Sequence, residues 1–283
     1  MRGFFEALLS PDFPFLRNAL IGGLLSSVLF GVIGSIVTVR RIASLAGAVS
    51  HAVLGGIGMA LYLSASELVP GFPPTAGAFI FAVIAALLIG AVSLRAKQRE
   101  DTAINAIWAI GMSVGILFMA KTAGYTDPSS YLFGNILLVS TQDLYLLALL
   151  DILVLILAWR FYPQIEASSF DEEFARARGV PAEAVFLVLL TVTALAIVLL
   201  QTFVGIVMVI AMLTLPAGTA GYFARSLGEM MLISGLFSGV FASAGLILGW
   251  TFDAPAGAVV VILAGIVFLA AAAGRGLLKL RFK

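Results

Sequence analysis

The chain has 283 residues, 61% of them hydrophobic and 11% charged, with sixteen Lys and Arg against fifteen Asp and Glu. Soluble domains carry about a quarter charged residues, so much of this surface must face lipid, and the balanced charge leaves no basic footprint for nucleic acid. Cysteine is absent and His51 is the single histidine, which excludes disulfides, thiolate metal sites, cysteine nucleophiles and any His-rich cluster within one chain.

The N-terminus does not read as a cleavable signal. Arg2 precedes a short apolar run that Pro11, Asp12 and Pro14 interrupt, so the first span is expected to act as its own insertion signal. A membrane-crossing helix needs about 20 mostly apolar residues. Roughly nine stretches meet that criterion. In chain order they are 18–39, free of charge; 44–63, which carries His51; 74–94; 103–120; 144–159, which holds Asp151; 184–200; 204–223; 230–250; and 256–273. The seventh contains Pro216 and Gly218, and is either a full crossing or a span and a surface helix parted at Pro216. The fold class that follows is all-α, a polytopic transmembrane helical bundle of about eight or nine spans, with 1–283 forming one transmembrane domain.

Charge at the loops orients it. With the N-terminus outside and nine crossings, the cytoplasmic segments hold thirteen Lys and Arg and the outer segments three, Arg2, Arg17 and Lys121. Omitting the seventh crossing would put Arg225 and the basic C-terminus outside, against that rule. The longest cytoplasmic insert is 160–183, containing FDEEFARARGVP, helix-forming from Asp171 to Arg178 and stopped by Gly179 and Pro181. The longest outer insert, 121–143, has an apolar stretch at 131–140 that is too short to span and is expected to re-enter the membrane or lie on its surface. Small residues recur four apart: Ser27, Gly31 and Ser35; Gly111 and Gly115; Gly235 and Gly239; Gly245 and Gly249. Such faces let helices approach closely in lipid.

Few side chains could carry chemistry. His51 lies near the middle of its span, on a face shared with Ser44, Gly47, Ala48, Gly55 and Gly58. Intramembrane ionisable groups mark function by default, and imidazole is a common ligand for divalent transition metals; a packing histidine bonded to a neighbouring helix is the plainer alternative. Ser50 is the nearest hydroxyl, though adjacent residues do not share a helical face. Asp151 is expected to hydrogen-bond Ser, Thr or Asn on a neighbour, and Asn105 and Gln201 to bond at span ends or between helices. Glu67, Asp127, Asp143 and Asp253 fall in outer loops. There is no GxxxxGK[ST] loop, no HExxH, and no GxSxG with a usable histidine, so ATP binding by that route and the common hydrolytic mechanisms lack parts.

Three stretches resemble the metal-ion (zinc, manganese, iron) family of ABC-transporter membrane permeases. They are VRRIASLAGAVSHAVLGG at 39–56, SFDEEFARARGVP at 169–181 and VGIVMVIAMLTLPAGTA at 204–220, in that order, within a likeness running from about Pro14 to Gly274. The resemblance implies a permease subunit of the bacterial cytoplasmic membrane and not an enzyme. Its partners would be two cytoplasmic ATPase subunits, an extracytoplasmic solute-binding protein and a second permease copy, identical or paralogous. It implies a divalent metal as transported substrate and no cofactor held by this chain. It also implies a gate near the dimer axis in which His51 matches the family's histidine. The family's acidic position, four residues earlier, is Gly47 here, and the proline after the His-Ala-Val-Leu run is Gly55. The resemblance further favours 213–229, with Pro216, Gly218 and Arg225, as the element docked in the ATPase groove; the acidic insert with Asp171, Glu172 and Glu173 is the other candidate. Two other cargoes or classes stay open: a metal chelate or small organic solute carried by an ABC permease, and an ATP-independent carrier or membrane enzyme.

Overall fold

Every regular element among the described residues of the computed structural model, 2–95, 100–122 and 139–281, is a helix. That is the solution lipid demands, because a helix satisfies its own backbone where no water can. The helices are α1 (Arg2–Leu9), α2 (Pro14–Val39), α3 (Ala43–Ala65), α4 (Pro74–Arg95), α5 (Glu100–Lys121), α6 (Thr141–Arg160), α7 (Tyr162–Phe170), α8 (Glu172–Ala177), α9 (Ala182–Val204), α10 (Ile206–Ala220), α11 (Leu227–Phe252) and α12 (Ala256–Arg281). Eight are long and apolar enough to cross a membrane, while α10 is shorter. Lys97, Arg99, Asp127, Lys283 and positions 131–138 of the expected outer apolar stretch lie outside the described residues.

Contacts divide the described residues into two compact units. The first draws on Met1–Arg40, Phe133–Tyr162 and Phe203–Lys283; the second on Arg41–Leu132 and Pro163–Thr202. Among the described residues the chain passes from one to the other between α2 and α3, at the start of α7 and near the end of α9.

In the first unit α2 packs against α6, α10 and α11, and α12 against α10 and α11. The small-residue faces do what their spacing predicts. A Cβ on Gly31 would lie 2.8 Å from Gly235 Cα and Met231 O, so α2 and α11 meet backbone to backbone. Two ends of this unit are distinguishable. At one, Trp250 of α11 packs edge-on against Phe4 and Phe13, and Asn18 donates to the Val139 carbonyl ahead of α6. At the other, Val39 closes α2 against Ala217 and Ala220 of α10 and Met230 of α11. There Gly228 N–H also donates to the Tyr162 hydroxyl, and Arg275 of α12 donates to the Tyr222 carbonyl.

These contacts fix the direction of α10. It ends at this second, basic end, which carries Arg225 and Arg275, beside the start of α11; it therefore runs parallel to α2 and is expected to be a passage in the alternating series. Its 15 residues span about 22 Å, short of the roughly 30 Å hydrocarbon core. The shortfall is tolerable because most of α10 is buried in protein, not exposed to lipid. The expected parting at Pro216 is not there. α10 runs through Pro216 and Gly218 to Ala220, and the break falls at Gly205, whose φ of +81° only glycine adopts readily. With no native cysteine in the chain, two single-cysteine variants test the passage. Phe252→Cys should label from outside intact cells, and Phe223→Cys only after inside-facing reagent is admitted. Outside labelling at position 223 would mean that α10 turns back.

In the second unit α3 lies against α4 and α5. Gly56 abuts Gly77 of α4, Gly58 abuts Gly115 of α5, and Gly55 faces the Gly111 carbonyl. Gly90 of α4 leaves room for Leu187 of α9. The charged insert folds as α7 and α8, the first of which sequence patterning does not single out. α8 follows the expected course: Asp171 caps it, and Gly179 stops it at φ +81°.

Candidate functional site

α3 is rich in small residues, and two stretches along it serve different ends. The Gly55, Gly56 and Gly58 positions are filled by the backbones of α4 and α5, so this stretch of the expected glycine trench is a packing surface, with no space left for an ion. Gly47, one turn from His51 on the same side, is the exception, because a Cβ there would meet no atom within 4 Å. The Ser50 hydroxyl donates to the Ala46 carbonyl at 2.9 Å and so is not a partner for His51. That is the usual resolution for a serine within a buried helix.

His51 is half-buried, and its ring stacks on Trp108 of α5, with centroids 4.4 Å apart and planes 12° from parallel. Its Nδ1 is buried with no hydrogen-bond partner, so the packing alternative of a histidine bonded to a neighbouring helix is not what holds the ring. Trp108 was not singled out from sequence. The signal was present: it lies three and seven residues before Gly111 and Gly115, on their helical face.

The other intramembrane candidates stand apart. Asp151 of α6 is 5% exposed, and neither carboxylate oxygen has a partner. The expected hydrogen bond to a neighbouring hydroxyl or amide is not made. Gln201 of α9 is likewise buried with both amide atoms unpaired, against its expected bonding role. Asn105 is exposed on α5. Of the outer acids, Asp143 closes a capping box with Ser140 at the start of α6, and Asp253 ends α11 in a left-handed conformation. Among the described residues, no three His, Cys, Asp or Glu come together as a metal cluster.

At the basic end of the first unit, the segment expected to dock an ATPase is the end of α10, a turn at 221–226 and the first residues of α11, not one separate helix. The turn is held from several directions. Ser226 caps α11 by accepting from Glu229 N–H, Glu229 in turn accepts from Arg225 N–H, and Arg275 lies over the Tyr222 ring. Gly218 abuts Phe268 of α12. The Phe223 and Arg225 side chains project outward, exposed. In the insert the acids are spent locally. Asp171 accepts from Phe174 N–H, and Glu172 and Glu183 pair with Arg176, which leaves Glu173 exposed.

The sequence pattern of the ABC 3 transport family matches residues 12–275. An uncharacterised membrane protein of Synechocystis is 39% identical over 93% of this chain and 92% of its own length. A manganese transport system membrane protein of Halalkalibacterium halodurans is 34% identical over 94% of this chain and 88% of its own. Among solved structures, PsaBC from Streptococcus pneumoniae in complex with Fab superposes with a TM-score of 0.83. It is 31% identical and covers 95% of this chain and 94% of that one.

Proposed function

The chain belongs to the ABC 3 transport family, and from that premise we propose that it is the membrane permease subunit of an ATP-driven importer of divalent transition metal ions, manganese foremost. It is a multi-pass bacterial membrane protein. The observation that carries the cargo is its 34% identity, along 94% of its length, to a manganese transport membrane protein. Hydrolysis of ATP belongs to separate ATPase subunits, delivery to an extracytoplasmic solute-binding protein, and the path to the meeting of two permease copies.

In this reading His51 is the one nitrogen ligand that the chain offers within the membrane, placed mid-span on α3. Gly47 supplies no carboxylate beside it, so an ion is held weakly there, which suits a conduit from which the ion must leave. The same glycine favours a second cargo, a metal chelate, which would need no carboxylate from the gate. Uptake separates the two. Cells carrying the transporter should accumulate manganese faster than cells lacking this chain, from medium free of chelator. Accumulation only when the metal is supplied as a chelate would move the cargo to the second reading.

The turn at 221–226 is the proposed seat of the ATPase, since its outward Phe223 and Arg225 are free while its backbone is anchored. Arg225→Glu should leave the helices folded, because the Arg225 side chain makes no contact on which α10 or α11 depends. It should separate ATP hydrolysis from transport or release the ATPase. Intact assembly with full transport-coupled hydrolysis in the variant would remove this turn from the coupling path.

A further inference from the structure

His51 and Trp108 come from different helices, yet their juxtaposition is built in. The register that pairs Gly55 with Gly111 and Gly58 with Gly115 continues one turn back to pair His51 with Trp108. At Gly111 the approach is to backbone contact. A Cβ there would sit 2.5 Å from Cα of Ala52, the residue next to His51, so α5 cannot be much nearer or farther without moving the indole off the imidazole.

We infer that Trp108 is a positioning residue for His51, whose indole face fixes the imidazole plane and stabilises the ring when it carries the charge of a bound metal ion. The inference rests on the reading of His51 as the metal-contacting residue of the path. A ligating histidine is ordinarily oriented by a hydrogen bond from its second nitrogen. Here Nδ1 has no such partner and the Ser50 hydroxyl is committed to Ala46, so the stack is what orients the ring. A cation on His51 also finds no carboxylate at Gly47, whereas the face of tryptophan is the best aromatic partner for positive charge. Trp108 remains 39% exposed, so filling a core does not account for it.

The test uses the assembled transporter in detergent and the bare metal ion. Mn²⁺ affinity, measured by competition with a fluorescent chelator, should stay within about threefold of wild type in Trp108→Phe, which keeps a ring. It should weaken about tenfold in Trp108→Leu, which keeps bulk without a π face. A second measurement leaves position 108 intact. With Trp159 and Trp250, the other two tryptophans, replaced by Phe, Co²⁺ should quench the remaining emission saturably, and His51→Ala should abolish that quenching. Wild-type Mn²⁺ affinity in Trp108→Leu, together with loss of binding in His51→Ala, would overturn the inference and leave the gate standing. Absence of quenching while His51-dependent binding persists would do the same, even where Trp108→Leu fails to assemble. Unchanged binding in His51→Ala would overturn both.

Discussion

His51→Ala should abolish most manganese uptake while leaving the protein folded and inserted. The chain has no cysteine and no second histidine, so no other thiolate or imidazole can take over within the membrane. Losing a direct ligand should cost at least what losing an outer partner of a ligand costs, on the order of 10–100-fold in affinity. The effect on stability should be small. Nδ1 makes no hydrogen bond, so its removal strands no donor or acceptor, and the stack on Trp108 is worth about 0.5–1.5 kcal/mol. Uptake of radioactive manganese, normalised to the amount of inserted protein, reads the first effect, and thermal unfolding in detergent reads the second. Wild-type uptake in the variant would make His51 a packing residue and leave the chain without an identifiable metal ligand. A conservative partner experiment is Gly47→Asp. The open space beside Gly47 admits a side chain, and a carboxylate one turn from the imidazole should raise metal occupancy and slow release.

The long spans were legible because hydropathy reports length directly, and each expected stretch lies within an observed helix except 204–223. That one failed at its ends for a physical reason. Proline removes one hydrogen bond, but inside a bundle its neighbours hold the helix together, so α10 passes through Pro216 unbroken. Gly205 breaks the chain because the backbone must take a positive φ there, and hydropathy is blind to that requirement. The fold's small-residue faces were legible as close packing, since spacing alone defines them. Which partner each face meets was not, because a sequence carries no register between helices. Hence the meeting of Trp108 with His51 is not legible, and neither is the lack of a hydrogen-bond partner at Asp151. In the 160–183 insert the acids looked available for an ATPase. Their local uses, a cap at Asp171 and an ion pair at Glu172, follow from positions three and four residues apart that only the folded helix brings into contact.

Gly58→Ala should prevent accumulation of folded protein, and Gly47→Ala should not, although both add one methyl to the same side of the same helix. At Gly58 the new Cβ would fall on the Gly115 carbonyl and within 2.8 Å of Gly115 Cα, both backbone atoms of α5 that no rotamer change can withdraw. The helices would have to part, and parting them also opens the Gly55–Gly111 contact next to it. Overpacking of this kind costs about 1–3 kcal/mol and sometimes more, in a bundle that has little besides close packing to hold its helices together. The separation would carry Trp108 away from His51, so any protein that does assemble should bind manganese more weakly than wild type. At Gly47 no atom lies within 4 Å, and alanine is the better helix former by up to about 1 kcal/mol, so that variant should melt at or slightly above the wild-type temperature. Expression level and thermal unfolding of the two variants side by side decide it. Equal behaviour would mean that α3 meets α5 less tightly than this register requires, and the stacked imidazole would then lose the support on which its orientation depends.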